Sequence, residues 1–310
     1  MIRPVGRLKW VGSHFRCPSG TAKPAISLKS SWRTTRPHTI AIRGAPSLSG
    51  WNLDAYTTGW SLRIRIVDGA PAISSRSISK HKIDMMEFKP VIYRSFAEFF
   101  GREFRPGVRT FPTAPGEMGA FSEARYFAWA KLRPEQIFPV KGCSLKASHI
   151  LGSEELAKPF LEGPVILARL APVDYHHNHY PDDGTTFHAA SIGGALWTVN
   201  WHALQNQDDI LFRNHRQINI LNTHHFGQLA FVEIGAMSVG RIQQVHPYDK
   251  PFSRGNEKSV FKFGGSAVVL FGEPGSWQPS EDLLDNTANG METLVRLGDI
   301  IGRSTTLLGA

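Results

Sequence analysis

The densest group of side chains able to do chemistry lies in the stretch APVDYHHNHYPDDG, residues 171–184. Six His and Asp residues fall within ten positions of it: Asp174, His176, His177, His179, Asp182 and Asp183. A tight turn can direct the imidazoles of His176 and His179 into one site. Because the proton equilibrium of imidazole lies nearest neutrality, this pair is a candidate for general acid-base chemistry.

Two other interpretations of the histidine cluster stay open from the residues alone. Imidazole and carboxylate are common metal ligands. The stretch nevertheless lacks a His-Glu-x-x-His helix and a cysteine partner, so we expect no metal. The plainer alternative is a solvated, histidine-rich loop without a chemical role.

A second candidate is the stretch FKFGGSAVVLF, residues 261–271, in which two glycines and a serine interrupt β-forming residues. Glycine inside a strand pattern usually marks a bulge or a tight turn. The chemical alternative is that the Ser266 hydroxyl attacks the carbonyl of Gly265 while a nearby histidine takes the hydroxyl proton. A Gly-x-Ser-x-Gly elbow is missing, which argues against an ordinary α/β-hydrolase.

The elements that must position these residues have the pattern of short strands. Apolar runs bounded by Gly, Pro, Asn and Asp recur beyond Pro106, without long helical patterns between them. They are ARYFAWAKL, PVILARLAPV, GALWTVNWHAL, RQINILNT, GQLAFVEIGAMSVGRI and SAVVLF. The predicted fold class is therefore α+β, mainly antiparallel β with a few peripheral helices.

One short amphipathic helix is predicted in YRSFAEFFGREF, residues 93–104. Ser95 can cap its N-terminus, and Phe96, Phe99, Phe100 and Phe104 recur at helical spacing. The phenylalanine stripe is expected to pack on the core. A contact of this helix with a membrane surface is the secondary prediction.

The net charge of +9 belongs to one end of the chain. Residues 1–50 hold nine Lys and Arg and no Asp or Glu, which leaves 26 basic and 26 acidic residues in the remainder. A nucleic-acid-binding domain needs a basic face on the fold itself, so we expect no nucleic-acid partner.

Cys17 and Cys143 are too few for a disulfide framework. No run of 18 apolar residues predicts a spanning helix.

Residues 1–85 are rich in Ser, Arg, Thr and Pro and lack a helical or strand period. Three interpretations stay open: an organellar transit peptide, a disordered tail, or an upstream extension outside the working protein. The predicted catalytic domain spans residues 86–310.

Several motifs, taken in order, resemble the phosphatidylserine decarboxylase family. The histidine-rich stretch is similar to its Asp-Tyr-His-x-x-His-x-Pro-x-Asp-Gly pattern, and FKFGGSAVVLF to its Gly-Ser self-cleavage motif. Three further stretches agree with the family order: SFAEFFGREFRPGVR, FPVKGCSLKASHILG and LFRNHRQINILNTHHFGQLAFVEIGAMSVGRI. The resemblance runs from about Tyr93 to Gly302.

This resemblance implies an enzyme that makes a covalent pyruvoyl cofactor by cutting its own chain. Ser266 would attack the Gly265 carbonyl, next to Gly264, and exchange the amide for an ester. Elimination then separates a β chain ending at residue 265 from an α chain, residues 266–310, that begins with the pyruvoyl group. By the same resemblance, His179 assists self-cleavage and His176 serves the decarboxylation.

The implied reaction converts phosphatidylserine into phosphatidylethanolamine and CO2 at a membrane surface. The implied location is peripheral, on the bacterial inner membrane, or on the mitochondrial inner membrane if residues 1–85 are a transit peptide. The family tends to dimerise, which makes a homodimer an expectation. Two alternatives stay open: a soluble amino-acid decarboxylase with the same cofactor, and a non-cleaving homologue that binds a lipid or an amine.

One departure from the family pattern concerns the carboxylate that orients the catalytic histidine. The family has Ser-Pro-Ala-Asp-Gly after its Phe-Phe-x-Arg motif, whereas TAPGEMGAFSEARYF, residues 113–127, holds no Asp. Glu117 is the predicted replacement, one methylene longer. Because small displacements of an orienting group cost catalytic rate, self-cleavage is the step that this departure would affect.

Overall fold

The structure, a computed structural model, describes residues 83–93, 95–131, 147–200, 203–204, 209–236, 241–262 and 266–306. Gly264, Gly265, residues 1–82 and the segment 132–146 lie outside these ranges. The predicted domain boundary at residue 85 stays a prediction.

Within the described ranges, thirteen strands form three antiparallel sheets. The strands are β1 (Glu117–Gly119), β2 (Ala124–Trp129), β3 (Val165–Leu170), β4 (His177–His179), β5 (Gly184–Ile192), β6 (Arg216–Thr223), β7 (Gln228–Gly235), β8 (Arg241–Gln244), β9 (Glu257–Lys262), β10 (Ser266–Gly272), β11 (Trp277–Pro279), β12 (Thr293–Val295) and β13 (Ile300–Ser304). The main sheet has the order β12-β2-β3-β10-β7-β6-β5, and the two small sheets have the orders β1-β13-β11 and β4-β9-β8.

The helices of the described part are short. They are α1 (Phe96–Phe100), α2 (Ala147–Leu151), α3 (Glu154–Ala157), α4 (Ile210–Arg213) and α5 (Glu281–Ala288), with 3-10 turns at Met85–Glu87 and Lys158–Phe160. Together with the sheets they confirm the predicted α+β class, mainly antiparallel β.

Helix α1 begins as the sequence predicts, but it ends at Phe100, and Phe104 lies beyond it in a β-bridge with Phe88. The Ser95 hydroxyl accepts a hydrogen bond from the Glu98 amide at 3.2 Å, which satisfies one of the free N–H groups of the first turn. Phe99 and Phe100 are fully buried, whereas Phe96 is half-buried. These two rings therefore contribute to the core, and the secondary prediction of a membrane contact finds no support in them.

Strand β10 is the centre of the main sheet, and both of its faces are covered. Ala267, Val269 and Phe271 belong to a core cluster with residues of α2, α3 and α4. Val268 and Leu270 belong to a second cluster with residues of both small sheets. Since side chains alternate along a strand, this double burial explains why SAVVLF shows no apolar-polar alternation. The same alternation directs Ser266 toward the face that carries the small sheets.

A buried polar network joins the sheet β4-β9-β8 to the main sheet. Lys258 on β9 and Glu233 on β7 form an ion pair at 2.9 Å, and neither side chain is exposed. Lys258 also donates to Gln244 Oε1 at 2.9 Å. Asn178 on β4 donates to Ser259 Oγ at 3.0 Å and to Glu233 Oε1 at 3.3 Å. Burial lowers the pKa of Lys258, and Glu233 opposes that effect.

We predict that Lys258→Met lowers the free energy of unfolding by about 3–5 kcal/mol, because it leaves the Glu233 carboxylate buried without its cation. The measurement is urea unfolding of chains that also carry Ser266→Ala, so that every sample is uncut. The double variant Lys258→Met with Glu233→Gln is expected to regain most of the loss.

The matched control is Lys89→Met, which removes the cation of the exposed pair Lys89–Glu103, in which the side chains are 48% and 52% exposed. It is expected to cost much less than Lys258→Met, because water screens an exposed pair. Equal losses for the buried and the exposed lysine would contradict the prediction.

Candidate active site

The pairing of β4 with β9 brings the histidines to the chain segment that precedes Ser266. His177 pairs with Val260 and Asn178 with Ser259, in antiparallel register. The Phe261 amide then donates to the carbonyl of His176 at 2.9 Å. Phe261 precedes Ser266 by five residues, so this ladder holds His176 against the strand that precedes Ser266 in the chain.

Ser266 is the first residue of β10. It pairs with Leu170 of β3 on one side and with Gly235 of β7 on the other. Its side chain is fully buried, and its hydroxyl has no hydrogen-bond partner in the described part of the chain. A buried polar group without a partner is costly, so such a group in a well-packed protein calls for a chemical reason.

His176 is a buried base with one free nitrogen. Its Nδ1 lies 2.9 Å from the carbonyl oxygen of Asp174. Because a carbonyl only accepts, Nδ1 carries the hydrogen and the lone pair is on Nε2. Among the described residues, nothing bonds to Nε2, and the ring is fully buried. Burial, aided by the charge of Arg102, lowers the pKa of His176 well below its ordinary value of 6.5.

Arg102 holds the turn that carries His176, and the sequence analysis gave it no role. Its guanidinium lies 4.6 Å from the ring centres of Phe88 and Phe99. It donates to the carbonyls of Val173 and Asp174 at 2.6 and 3.2 Å. Burial lowers the pKa of Arg102 to about 10, which leaves the side chain charged at neutral pH. In the sequence, the signal for this role was an arginine two residues after the phenylalanine-rich helix.

His179 has a partner at each ring nitrogen. Its Nδ1 lies 2.8 Å from the carbonyl oxygen of Gly255, and its Nε2 lies 3.3 Å from the Tyr175 hydroxyl. Gly255 has φ +81, and a Cβ there would lie 2.9 Å from the ring of Phe111, so the turn that supplies this carbonyl requires glycine. Burial lowers the pKa of His179. Both predicted histidines are therefore neutral bases at pH 7.

His177 and Glu257 form an ion pair beside these bases. His177 Nδ1 lies 2.6 Å from Glu257 Oε1, and its Nε2 lies 3.3 Å from the carbonyl oxygen of Gly101. Both ring nitrogens of His177 therefore face oxygen acceptors. Burial raises the pKa of Glu257, but the hydrogen bond and the charge of His177 lower it by more. The net shift of this pKa is therefore downward. Sequence reasoning did not single out Glu257, because its partner is 80 residues away.

The remaining carboxylates of the histidine-rich stretch support the backbone. Asp174 pairs with Arg125 at 2.6 Å and accepts from the Ala171 amide. Asp182 is fully buried and pairs with Arg254 at 2.8 Å. Asp183 accepts from the Arg254 amide at 2.9 Å.

The structure does not bring Glu117 to either histidine. Its carboxylate accepts from Arg303 at 3.0 Å at the edge of the sheet β1-β13-β11. The Nδ1 atoms of the two histidines are bonded to backbone carbonyls instead. Glu123, in the same sequence segment, pairs with Arg109 at 2.7 Å.

The fold and the site define an α+β protein with a buried serine at the head of its central strand and two neutral histidines at an adjacent sheet. His176 is buried and lies just before β4, and His179 lies on β4 and is partly buried. A family model described as phosphatidylserine decarboxylase matches residues 96–303. This chain belongs to the phosphatidylserine decarboxylase family.

Individual relatives agree with that assignment. A protein of Ruminiclostridium cellulolyticum is 35% identical over 225 residues, which cover 72% of this chain and 75% of that protein. A protein of Chlamydia caviae is 37% identical over 231 residues, covering 73% and 77%. One of Fusobacterium nucleatum is 33% identical over 227 residues, covering 73% and 76%. All three are named phosphatidylserine decarboxylase proenzyme.

The two buried histidines predict a loss of stability in mild acid. The unfolded chain binds a proton at each ring near pH 6.5, whereas the folded chain, with lowered pKa values, does not. The free energy of unfolding should therefore fall below about pH 6.5, by up to about 1.4 kcal/mol per pH unit for each histidine. Urea unfolding of the Ser266→Ala chain between pH 7.5 and 5 measures this slope. His176→Gln should make it shallower, and an unchanged slope in that variant would contradict the prediction.

Proposed function

We propose that this protein decarboxylates phosphatidylserine to phosphatidylethanolamine and CO2, after cutting its own chain between Gly265 and Ser266. The observation that carries the proposal is a pair of buried polar atoms, Ser266 Oγ and His176 Nε2, that have no hydrogen-bond partner among the described residues. The Phe261–His176 hydrogen bond ties the segment of His176 to β9, the strand that precedes β10 in the chain. Family membership supports the reaction, and the word proenzyme in the names of the relatives supports the self-cleavage.

The head of β10 fits a pyruvoyl group made from Ser266. Strand β10 is buried along its whole length and pairs on both sides, so its N-terminal residue stays anchored after the preceding peptide is cut. The unbonded serine hydroxyl is available for the acyl transfer from Gly265. When present, the pyruvoyl carbonyl supplies an electron sink for the electrons that remain when CO2 leaves.

The two histidines have separate tasks in this proposal. His179 takes the Ser266 hydroxyl proton during self-cleavage, and His176 holds or moves a proton at Nε2 during decarboxylation. Their lowered pKa values support both tasks, because a neutral imidazole is free to accept a proton at pH 7. The Asp174 and Gly255 carbonyls orient the two rings, and Arg102 holds the Asp174 carbonyl in place.

The first test follows self-cleavage by intact mass over time in four chains. The unmutated protein should split into residues 1–265 and 266–310 with a pyruvoyl cap on the smaller piece, and Ser266→Ala should stay whole. His179→Gln should slow cleavage at least about 100-fold, because it removes the base. His176→Gln should still be cut but lose CO2 release by a similar factor.

The outcomes separate the alternatives. An unmutated chain that stays whole overturns the enzyme proposal in favour of a non-cleaving lipid- or amine-binding homologue. The reverse pattern in the two histidine variants exchanges their tasks. Glu117→Gln tests the predicted orienting carboxylate: its pairing with Arg303 favours cleavage at the unmutated rate, and a large slowing would restore Glu117 to the site.

The second test concerns the substrate. CO2 release is measured from phosphatidylserine in vesicles, from free serine and from free aromatic amino acids. We expect release from the vesicles alone. Release only from a free amino acid would favour the soluble decarboxylase.

The substrate also implies contact with a membrane surface. None of the helices in the described part is long and apolar enough to cross a bilayer. We propose peripheral association with the bacterial inner membrane, or with the mitochondrial inner membrane if residues 1–85 direct the chain there. Vesicle co-sedimentation tests the association, and light scattering tests the proposed homodimer.

A further inference from the structure

Tyr175 lies between two of the three clustered histidines. Its ring is buried and stacks on the ring of His177, with centroids 4.6 Å apart and an interplanar angle of 8°. Phe104 packs on it with centroids 4.3 Å apart. Its hydroxyl lies 3.3 Å from His179 Nε2. The ring is therefore held in place independently of the hydrogen bond that its hydroxyl makes.

The direction of that hydrogen bond follows from the opposite side of the His179 ring. The Gly255 carbonyl can only accept, so Nδ1 of His179 carries the hydrogen. In the neutral ring Nε2 is then the acceptor, and the Tyr175 hydroxyl is the donor. Burial raises the pKa of Tyr175 well above its ordinary value of 10, so the phenol keeps its proton.

We propose that Tyr175 is a positioning residue for His179: together with the Gly255 carbonyl it fixes the neutral ring as the Nδ1-protonated form, with the lone pair on Nε2. At 3.3 Å the bond is longer than the usual O–H hydrogen bond. This long bond holds the His179 ring only weakly, so Nε2 can give up the Tyr175 hydroxyl and accept a proton instead. That this positioning helps self-cleavage rests on the proposed function, whereas the predicted tautomer of His179 does not.

Two other groups act on the proton affinity of His179. The charge of Glu257, which faces it from β9, favours the protonated ring, and His177 disfavours it. Tyr175→Phe changes neither group and keeps the stacked ring. Since the lost hydroxyl bonds to the neutral ring, its removal should raise the pKa of His179 by about 0.7 unit.

The test is a titration followed by the side-chain ¹⁵N resonances of histidine. Every chain carries Ser266→Ala, so that it is uncut, and His179→Gln identifies the His179 signals. With Tyr175 present, Nδ1 should be protonated and Nε2 unprotonated. Tyr175→Phe should raise the titration midpoint of His179 and populate the Nε2-protonated form.

The matched control is Tyr93→Phe. Its ring packs on Phe99 in the same aromatic group, and its buried hydroxyl has no hydrogen-bond partner in the part of the chain that is described. It should leave the His179 titration unchanged. A merely structural role of Tyr175 would lower the melting temperature without moving the midpoint or the tautomer.

The decisive outcomes do not require decarboxylase activity. If Nε2 of His179 carries the hydrogen in the chain that retains Tyr175, the proposal is overturned, because Nε2 could not then accept from the Tyr175 hydroxyl. This outcome counts even if Tyr175→Phe fails to fold. An unchanged midpoint and tautomer in folded Tyr175→Phe overturn it as well.

Self-cleavage then separates this inference from the proposed function. In chains with Ser266 intact, Tyr175→Phe should cleave about tenfold more slowly and with a pH dependence shifted upward, while Tyr93→Phe cleaves normally. If the unmutated chain never cleaves but the ¹⁵N result holds, the proposed function fails and the positioning role stands. If the unmutated chain cleaves and Tyr175→Phe matches it at every pH, the benefit of Tyr175 to cleavage is refuted.

Discussion

The antiparallel pairing of β4 with β9 is the constraint on which the site depends. It holds a three-residue strand, which contains His179 and directly follows His176, against the strand that precedes the Gly-Ser motif in the chain. Three residues of β4 could not keep a fixed position by themselves, because so short a strand has few ladder hydrogen bonds. Contacts from outside the ladder are therefore required.

Those contacts are mostly polar and buried. Asn178 reaches from β4 to Glu233 on the main sheet, and Lys258 does the same from β9. Arg102 donates hydrogen bonds to the backbone carbonyls of Val173 and Asp174, just before His176. Polar groups in a dry interior have few acceptable arrangements, since each must find its partners. Such groups specify one relative position of the two sheets, where an apolar contact would tolerate sliding.

The same burial sets the chemistry of the histidines. Backbone carbonyls at Asp174 and Gly255 bind the Nδ1 hydrogens, so both rings present Nε2 as the basic atom. A carbonyl orients a ring as a carboxylate does, but without a negative charge that would stabilise the protonated form. Burial thus lowers the pKa of two histidine rings whose orienting partners carry no charge.

Much of this protein could be predicted from local patterns. Ser95 and the phenylalanine spacing determine the start of α1, and five of the six runs bounded by turn residues determine strands and the α+β class. The strand predicted in GALWTVNWHAL was wrong, because the only strand pairing among its described residues is an isolated bridge at Ala195. The uniform burial of Val268, Val269 and Leu270 was visible as an apolar run without alternation. The histidine spacing and the Gly-Gly-Ser interruption marked the candidate site, because these features depend only on neighbouring residues.

Only the tertiary structure decided which groups surround the site. Glu257 pairs with His177 across 80 residues, and Arg102 meets Asp174 across 72. The carboxylate expected at Glu117 pairs with Arg303 instead. The hydroxyl of Tyr175, which lies directly between Asp174 and His176 in the sequence, is a partner of His179. The physical reason is that hydrogen-bond partners and burial arise from the packing of separate sheets, whereas helix caps, strand runs and motif spacing are written in consecutive residues.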